Sequence, residues 1–285
     1  MALPDTTMTL PDGRTLAYTQ LGAPDGPLIV YFHGAPTSRL DLVAMSDAFT
    51  ALDVCVVSPD RPGYGNSTPQ PGRQLHDWPA DVVALADQLK RPRFAVIGIS
   101  SGSLYAIVTA AALPDRVAAG AVVGGVTDFS WPHAWPGFFE NEAALMRIGD
   151  ELEAKAWCDE RYGVDGSRFA ASFPDLAAAD NALLADQAAA DGFAATIHEA
   201  FRQGTSGYAQ DITVQGRRWQ FDPGGIRVPI RILHGESDTL VPVDHARHNA
   251  ELIPYSTLEL LPDEGHISML AQLPGIAGDL AASLR

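Results

Sequence analysis

Apolar and polar positions fall into two rhythms along the 285 residues. The first occupies both ends of the chain. "RTLAYTQLG", after the turn residues "PDG", alternates as a half-exposed strand does. "PLIVYFHG" and "DVCVVSPDRPG" are continuous apolar runs ended by Gly or Pro, the pattern of strands buried on both faces. Between them, residues 40–52 set Leu42, Met45, Phe49 and Leu52 at helical spacing. "LHDWPADVVALADQLK" gathers Val82, Val83, Leu85, Ala86 and Leu89 on the buried side of a second amphipathic helix. A strand over 94–99, a helix from about Ser101 to Leu113 and a strand over 117–124 follow. Late in the chain come "VPIRILHGESD", a helix around "DHARHNAELI", the strand "TLELL" and a terminal helix, "ISMLAQLPGIAGDLAASL". Such alternation predicts a mostly parallel sheet with helices on both faces.

The second rhythm begins near Asp128, where the alternation stops. From Trp131 to about Gly225 the chain carries helical spacing, turns and aromatics, as in "AALMRIGDELEAKAWCDERY" and "DLAAADNALLADQAAADGFAATIHEAFRQG". Residues 177–195 are rich in alanine, the strongest helix former. No strand pattern interrupts this region. The economical arrangement is one α/β core made of residues 1–130 and 224–285, with a helical cap inserted over 131–223. The chain length suits one such core with an insertion.

Composition narrows the partners. With 46% hydrophobic residues a sizeable core can be buried, and a formal charge of −16 disfavours nucleic acid and anionic membranes, which would be repelled. An anionic substrate is disfavoured for the same reason. The acids are scattered, as on a solvated surface. Cys55 lies in an apolar strand-like run and Cys158 in a charged helical stretch. Without C-x-x-C spacing they suggest neither a zinc site nor a disulfide framework. "MALPDTTMTLPDGRTLAY" lacks the charged head and apolar run of a secretory signal. No apolar segment approaches the ~18 residues that a membrane span needs. The expected compartment is the cytoplasm.

Candidate chemistry centres on "FAVIGISSGSLYAIVTAAALPDRV". Here Gly98-Ile99-Ser100-Ser101-Gly102 fits G-x-S-x-G, with Ser100 at the centre. A strand turns into a helix within a few residues, which strains the middle residue and requires small neighbours on either side. The hydroxyl then projects above the sheet at a helix N-terminus, where backbone N–H groups favour developing negative charge. Ser101 begins the helix and contributes its amide rather than its side chain. Without chemistry, Ser100 would be an N-cap and the glycines a turn.

A serine needs a base. His266, in the loop "DEGHIS" before the last helix, is the candidate that suits the order nucleophile, acid, histidine. A carboxylate must then orient the imidazole. Asp238, in "ESDTLVP" beyond a strand's C-terminal end, is favoured over Asp128, while Glu236 and Asp263 are expected to be solvated. For the oxyanion, the Ala35 N–H after His33-Gly34 joins the Ser101 N–H. His33 and His234 are expected to hydrogen-bond within their turns.

With these residues assembled, the chain resembles the α/β-hydrolase family over essentially its full length. The matching pieces are "HGAPTSR" after the third strand, "DRPGYGNS" after the fourth, "GISSGS", "HGESDTLVP" and "DEGHISML", in the family's order and spacing. The resemblance implies an eight-stranded, mostly parallel sheet flanked by helices, with a helical cap over the site. By position it assigns Ser100 as nucleophile, Asp238 as acid, His266 as base, and the Ala35 and Ser101 amides as oxyanion hole. Epoxide hydrolases and haloalkane dehalogenases of this fold look like Asp-nucleophile enzymes, unlike Ser100 here. Proline iminopeptidases usually show H-G-G-P-G and a Trp beside the nucleophile, where this chain has "HGAPTS" and Ser101, which argues against peptidase action.

The expected activity is therefore that of a serine esterase on a small to medium, largely apolar small-molecule substrate, through an acyl-enzyme. Carbon–carbon bond hydrolysis or lactonase action on the same triad, or ligand binding without turnover, are the alternatives. No metal or organic cofactor is implied, and homo-oligomerisation is left open. Cap aromatics, Trp131, Trp135, Phe138 and Phe139 first among them, are the expected substrate-binding residues. Arg39 is expected to pair with a surface acid rather than with a substrate carboxylate.

Overall fold

A computed structural model describes residues 6–285. The start of the predicted core domain and the head of the N-terminal segment, residues 1–5, lie outside the described residues. Eight strands form one sheet: β1 (Thr6–Thr9), β2 (Thr15–Gly22), β3 (Leu28–Phe32), β4 (Cys55–Pro59), β5 (Phe94–Ile99), β6 (Val117–Val123), β7 (Ile230–Gly235) and β8 (Ser256–Leu261). Their order is β1-β2-β4-β3-β5-β6-β7-β8. β1 and β2 run antiparallel to their neighbours, and every pairing from β4 onward is parallel. The central strands β3, β4, β5 and β6 are buried along their whole length, as their largely apolar runs suggest, with Ser58 of β4 buried among them.

Alternate residues of β3 separate the two faces of the core. Leu28, Val30 and Phe32 belong to the layer under α2 (Trp78–Gln88) and α3 (Gly102–Ala112). Ile29 and Tyr31 belong to the layer under α1 (Ser46–Ala51) and α10 (Leu273–Ala282), with α9 (Asp244–Leu252) preceding β8. Between β6 and β7 lie five α-helices and no strand among the described residues: α4 (Glu140–Met146), α5 (Glu151–Tyr162), α6 (Ala178–Leu184), α7 (Gln187–Ala200) and α8 (Ser206–Gln215). No helix of the described residues is long and apolar enough to cross a membrane.

The structure departs from the hydrophobic pattern in three places. β1 carries only "TTMT", half buried and half exposed in alternation, too short and polar to stand out. The helix expected over 40–52 is confined to a 3₁₀ turn at Val43–Met45 and α1, because the residues before it are drawn into side-chain bonds. Ser38 bonds Thr196 of α7, and Arg39 bonds Asp60 and Glu199. Arg39's partners are thus buried acids, not surface ones. The terminal helix is a 3₁₀ turn over Ser268–Gln272 followed by α10, with Pro274 in its first turn, where a missing N–H costs nothing.

Candidate active site

Ser100 stands between β5 and α3 with φ 51°, in the left-handed region that L side chains seldom adopt. Close packing around it explains the flanking glycines. A Cβ at Gly98 would overlap the carbonyl of Gly102, and a Cβ at Gly102 would overlap the carbonyl of Phe32 on the neighbouring strand. The turn is held by Ser100 N–H donating to Val123 O (2.9 Å) and Ser103 N–H donating to Ser100 O (3.0 Å). A serine in this setting projects its hydroxyl away from the sheet, at the start of α3.

Asp238 and His266 arrive from the loops after β7 and β8. His266 Nδ1 donates to Asp238 Oδ2 at 2.7 Å, and the Asp238 side chain is fully buried. The other carboxylate oxygen accepts the N–H groups of Leu240 (2.8 Å) and Val241 (2.9 Å). His234 Nε2 donates to Val241 O (2.8 Å) and lies 3.3 Å from Asp238 Oδ2. Burial alone would raise the Asp238 pKa, but the two histidines outweigh it and hold the carboxyl well below its ordinary range. For His266, burial disfavours the imidazolium, yet the adjacent Asp238 carboxylate more than compensates and raises the pKa above 6.5. Gly124, at φ 52°, closes the end of β6 beneath the pair, and even a Cβ there would come within 3.5 Å of His266 Nδ1. With Nδ1 committed to Asp238, Nε2 is the nitrogen left for the cleft. Asp128 instead caps a turn through Ser130 N–H, and Glu236 and Asp263 are exposed.

Ser100 and His266 line one cleft of about 660 Å³ that opens to solvent. Gly34 and Ala35 line it too, and neither the Ala35 nor the Ser101 amide donates to a backbone carbonyl among the described residues. The loop is braced from behind. Arg61 Nη2 donates to Gly34 O (2.8 Å), and Nη1 donates to His33 O. In a trans peptide C=O and N–H point opposite ways, so holding the Gly34 oxygen turns the Ala35 N–H to the far side. His33 sits fully buried, donating through Nδ1 to Gly34 O (2.7 Å) and accepting Arg61 N–H at Nε2 (3.2 Å). Burial and the Arg61 charge keep its pKa well below normal, which suits a structural role. Among the described residues no group of three or more His, Cys, Asp and Glu side chains is arranged to hold a metal ion.

Comparison with known proteins agrees with this fold. The family model of the alpha/beta hydrolase fold matches residues 27–271. The chain belongs to the alpha/beta hydrolase fold family. It is 27% identical to a non-heme chloroperoxidase of Streptomyces lividans, over 98% of this chain and 99% of that one. A bifunctional esterase/perhydrolase of Acinetobacter calcoaceticus is also 27% identical, with coverage of 98% and 99%. Among solved structures, the enol-lactonase from Burkholderia xenovorans superposes with a TM-score of 0.73 at 20% identity, covering 98% of this chain and 99% of that one, a likeness of fold alone.

The rest of this alpha/beta hydrolase's cleft differs from the sequence expectation. Of the four aromatics expected to bind substrate, Phe139 lines it, while Trp131, Trp135 and Phe138 do not. Trp131 stacks on His248 at 4.0 Å, Trp135 donates to Phe129 O and carries Arg147 on its face, and Phe138 is buried against Phe129 and His245. Between them they fasten the start of the insertion to α9 and to the loop after β6. The walls come instead from Phe173, Phe193, Ile197, Leu240 and Val241. Two carboxyls face the same space. Burial pushes Glu142 of α4 up to about 8, while Tyr208 donates to its Oε1. Burial raises Asp41 to about 6, although Thr37, Thr196 and Tyr31 all donate to it. Neither acid sits in a motif; only the fold brings them to the cleft.

Proposed function

We propose that this alpha/beta hydrolase is a serine hydrolase that cleaves a small to medium, largely apolar ester through an acyl-enzyme. The observation that carries the reading is the 2.7 Å bond from His266 to a buried Asp238, on a histidine that shares its cleft with the strained Ser100. His266 Nε2 takes the Ser100 proton as the oxygen attacks the substrate carbonyl. The Ala35 and Ser101 amides hold the resulting oxyanion. The imidazolium returns the proton to the leaving alcohol, and water activated by the same nitrogen releases the acid. An apolar wall of Phe139, Phe173, Phe193 and Ile197 favours an apolar acyl or alkyl group over a charged one. A relative named as an esterase/perhydrolase supports ester cleavage.

A short-chain p-nitrophenyl ester and a fluorophosphonate label, applied to wild type and Ser100→Ala, test the reading. Turnover is expected to fall about 10⁶-fold in the variant, and labelling to vanish. Esterase activity that survives the substitution defeats the assignment of Ser100. Tight binding of a ligand by wild type with negligible turnover would point to a binding protein instead.

A further inference from the structure

The insertion holds the histidine loop directly. Asp180, on α6, is fully buried, and both of its carboxylate oxygens are spent on that loop. Oδ2 accepts the N–H of His266 itself (3.0 Å), and Oδ1 accepts the N–H of Ser268 (2.8 Å). The fit is tight enough that a Cβ on Gly265 would overlap the carboxylate. His266 is therefore held twice: its ring by Asp238 from the sheet, its backbone by Asp180 from the insertion.

A carboxylate that merely capped the 3₁₀ turn at Ser268–Gln272 would need only the Ser268 bond. The second bond, to the amide of the residue that bears the imidazole, fixes where the ring's pivot lies. A base displaced by about 1 Å from its nucleophile can lose roughly 100-fold in rate. We propose that Asp180 is a positioning residue for His266, so that the imidazole keeps its place beside Ser100 only while α6 is seated on the core. The inference rests on His266 being the general base. Three carboxyls face that ring from three elements: Asp238 from the loop after β7, Asp180 from α6 and Glu142 from α4. Asp238 favours the imidazolium most and Asp180 next, while Glu142 adds to this only when ionised.

Asp180→Asn tests this, because it preserves size while removing the charge and setting an NH₂ against one of the two backbone donors. On a p-nitrophenyl ester, kcat is expected to fall roughly 10- to 100-fold with KM changed less than about threefold. The acidic limb of kcat/KM should move to lower pH, since the imidazolium loses a neighbouring anion. A lower melting temperature with kcat and the limb both at wild-type values would reduce Asp180 to a cap and overturn the proposal. Gly265→Ala approaches the clamp from the other side, displacing the carboxylate while retaining its charge. It should lower kcat with a much smaller movement of the limb, and wild-type kcat in a folded Gly265→Ala protein also overturns the proposal. NMR titration of the His266 imidazole in wild type and Asp180→Asn separates this from the hydrolase reading. Absent ester turnover in wild type defeats that reading, whereas an unmoved imidazole titration defeats the clamp.

Discussion

The rim of the sheet and the helical insertion build opposite walls of one cleft by different physical means. At the rim, backbone geometry within a few residues does the placing. Ser100 is held by its positive φ and by glycines that have no room for a Cβ, and Asp238 by two amides only two and three residues ahead. The insertion has no such local device. It is registered on the core by buried polar pairs between residues far apart in the chain. Asp211 of α8 accepts from Arg61, Arg73, Tyr64 and Tyr105. Glu199 of α7 accepts from Arg39, and Asp180 holds the histidine loop. Apolar packing alone would keep the helices on the core without fixing where they sit, since it is non-directional. Charges that lose water on burial must find their partners or leave a large desolvation cost uncompensated. The rim should therefore respond to mutation mainly in rate, and the insertion, Asp180 apart, mainly in stability.

The largest expected effect lies on the rim side. Asp238→Asn removes the carboxylate that fixes the His266 tautomer, and kcat should fall about 10⁴-fold, with the amide geometry around Leu240 and Val241 largely kept. The sign of the pH effect follows. Asp238 is the group that raises the His266 pKa, so the wild-type acidic limb of kcat/KM should have its midpoint above pH 6.5, and residual activity in the variant should have it lower. A rate–pH profile of wild type that is flat from about pH 5 to 9 would remove the histidine from the mechanism. Unfolding in urea should show a much smaller change than the rate does.

On the insertion side the order of effects reverses. Asp211 is fully buried, and Arg61 and Arg73, also buried, press its pKa well below normal despite the desolvation that opposes them. Asp211→Asn leaves two buried guanidinium groups without a counter-charge. About 3–5 kcal/mol of stability should be lost, seen as a lower urea midpoint. Because Arg61 also bonds the Gly34 carbonyl, the folded fraction should lose some rate too, but far less than Asp238→Asn. An Asp211→Asn protein as stable as wild type would mean that apolar packing, not this cluster, registers the insertion.

The same division decides what could be read from the sequence. The strand runs, the Gly-Ser-Gly turn and the loops of Asp238 and His266 are contiguous signals, because a strand, a tight turn or a loop end is a local event. The sheet and the approach of His266 to Asp238 were legible for that reason. Asp180 was not: it lies in an alanine-rich stretch, 86 residues before the amide it binds, and one carboxylate on a helix looks like any other. Glu142, on α4, was missed for the same reason, and Asp41, in a turn, because a lone carboxylate there carries no motif. The aromatics misled in the opposite way. Their concentration in the insertion was plain, but which of them face the cleft depends on how the helices pack, so Trp131, Trp135 and Phe138 fell to the fastening side and Phe173 and Phe193 to the cleft.

Glu142 sharpens the comparison with the smallest effect, since it belongs to the insertion yet faces the cleft. Its carboxyl pKa is raised by burial from 4.5 to about 8, against the partial relief of the Tyr208 bond. Below the unfolded value both states are protonated, and the residue has no pH-dependent cost. As pH rises toward 8 the unfolded chain ionises while the folded one does not, so wild type loses stability across that window and levels off above it. Glu142→Gln removes the titration. Its stability relative to wild type should therefore improve by about 2.5 kcal/mol between pH 5 and 7, at about 1.4 kcal/mol per pH unit less the incomplete ionisation at the lower end. Urea unfolding of both proteins at the two pH values measures the difference. If the gap between them is the same at both, Glu142 is ionised when folded, and the cleft is more open to water than its apolar walls imply. A gap that widens as expected leaves a neutral acid beside His266, able to donate a hydrogen bond to whatever occupies the cleft.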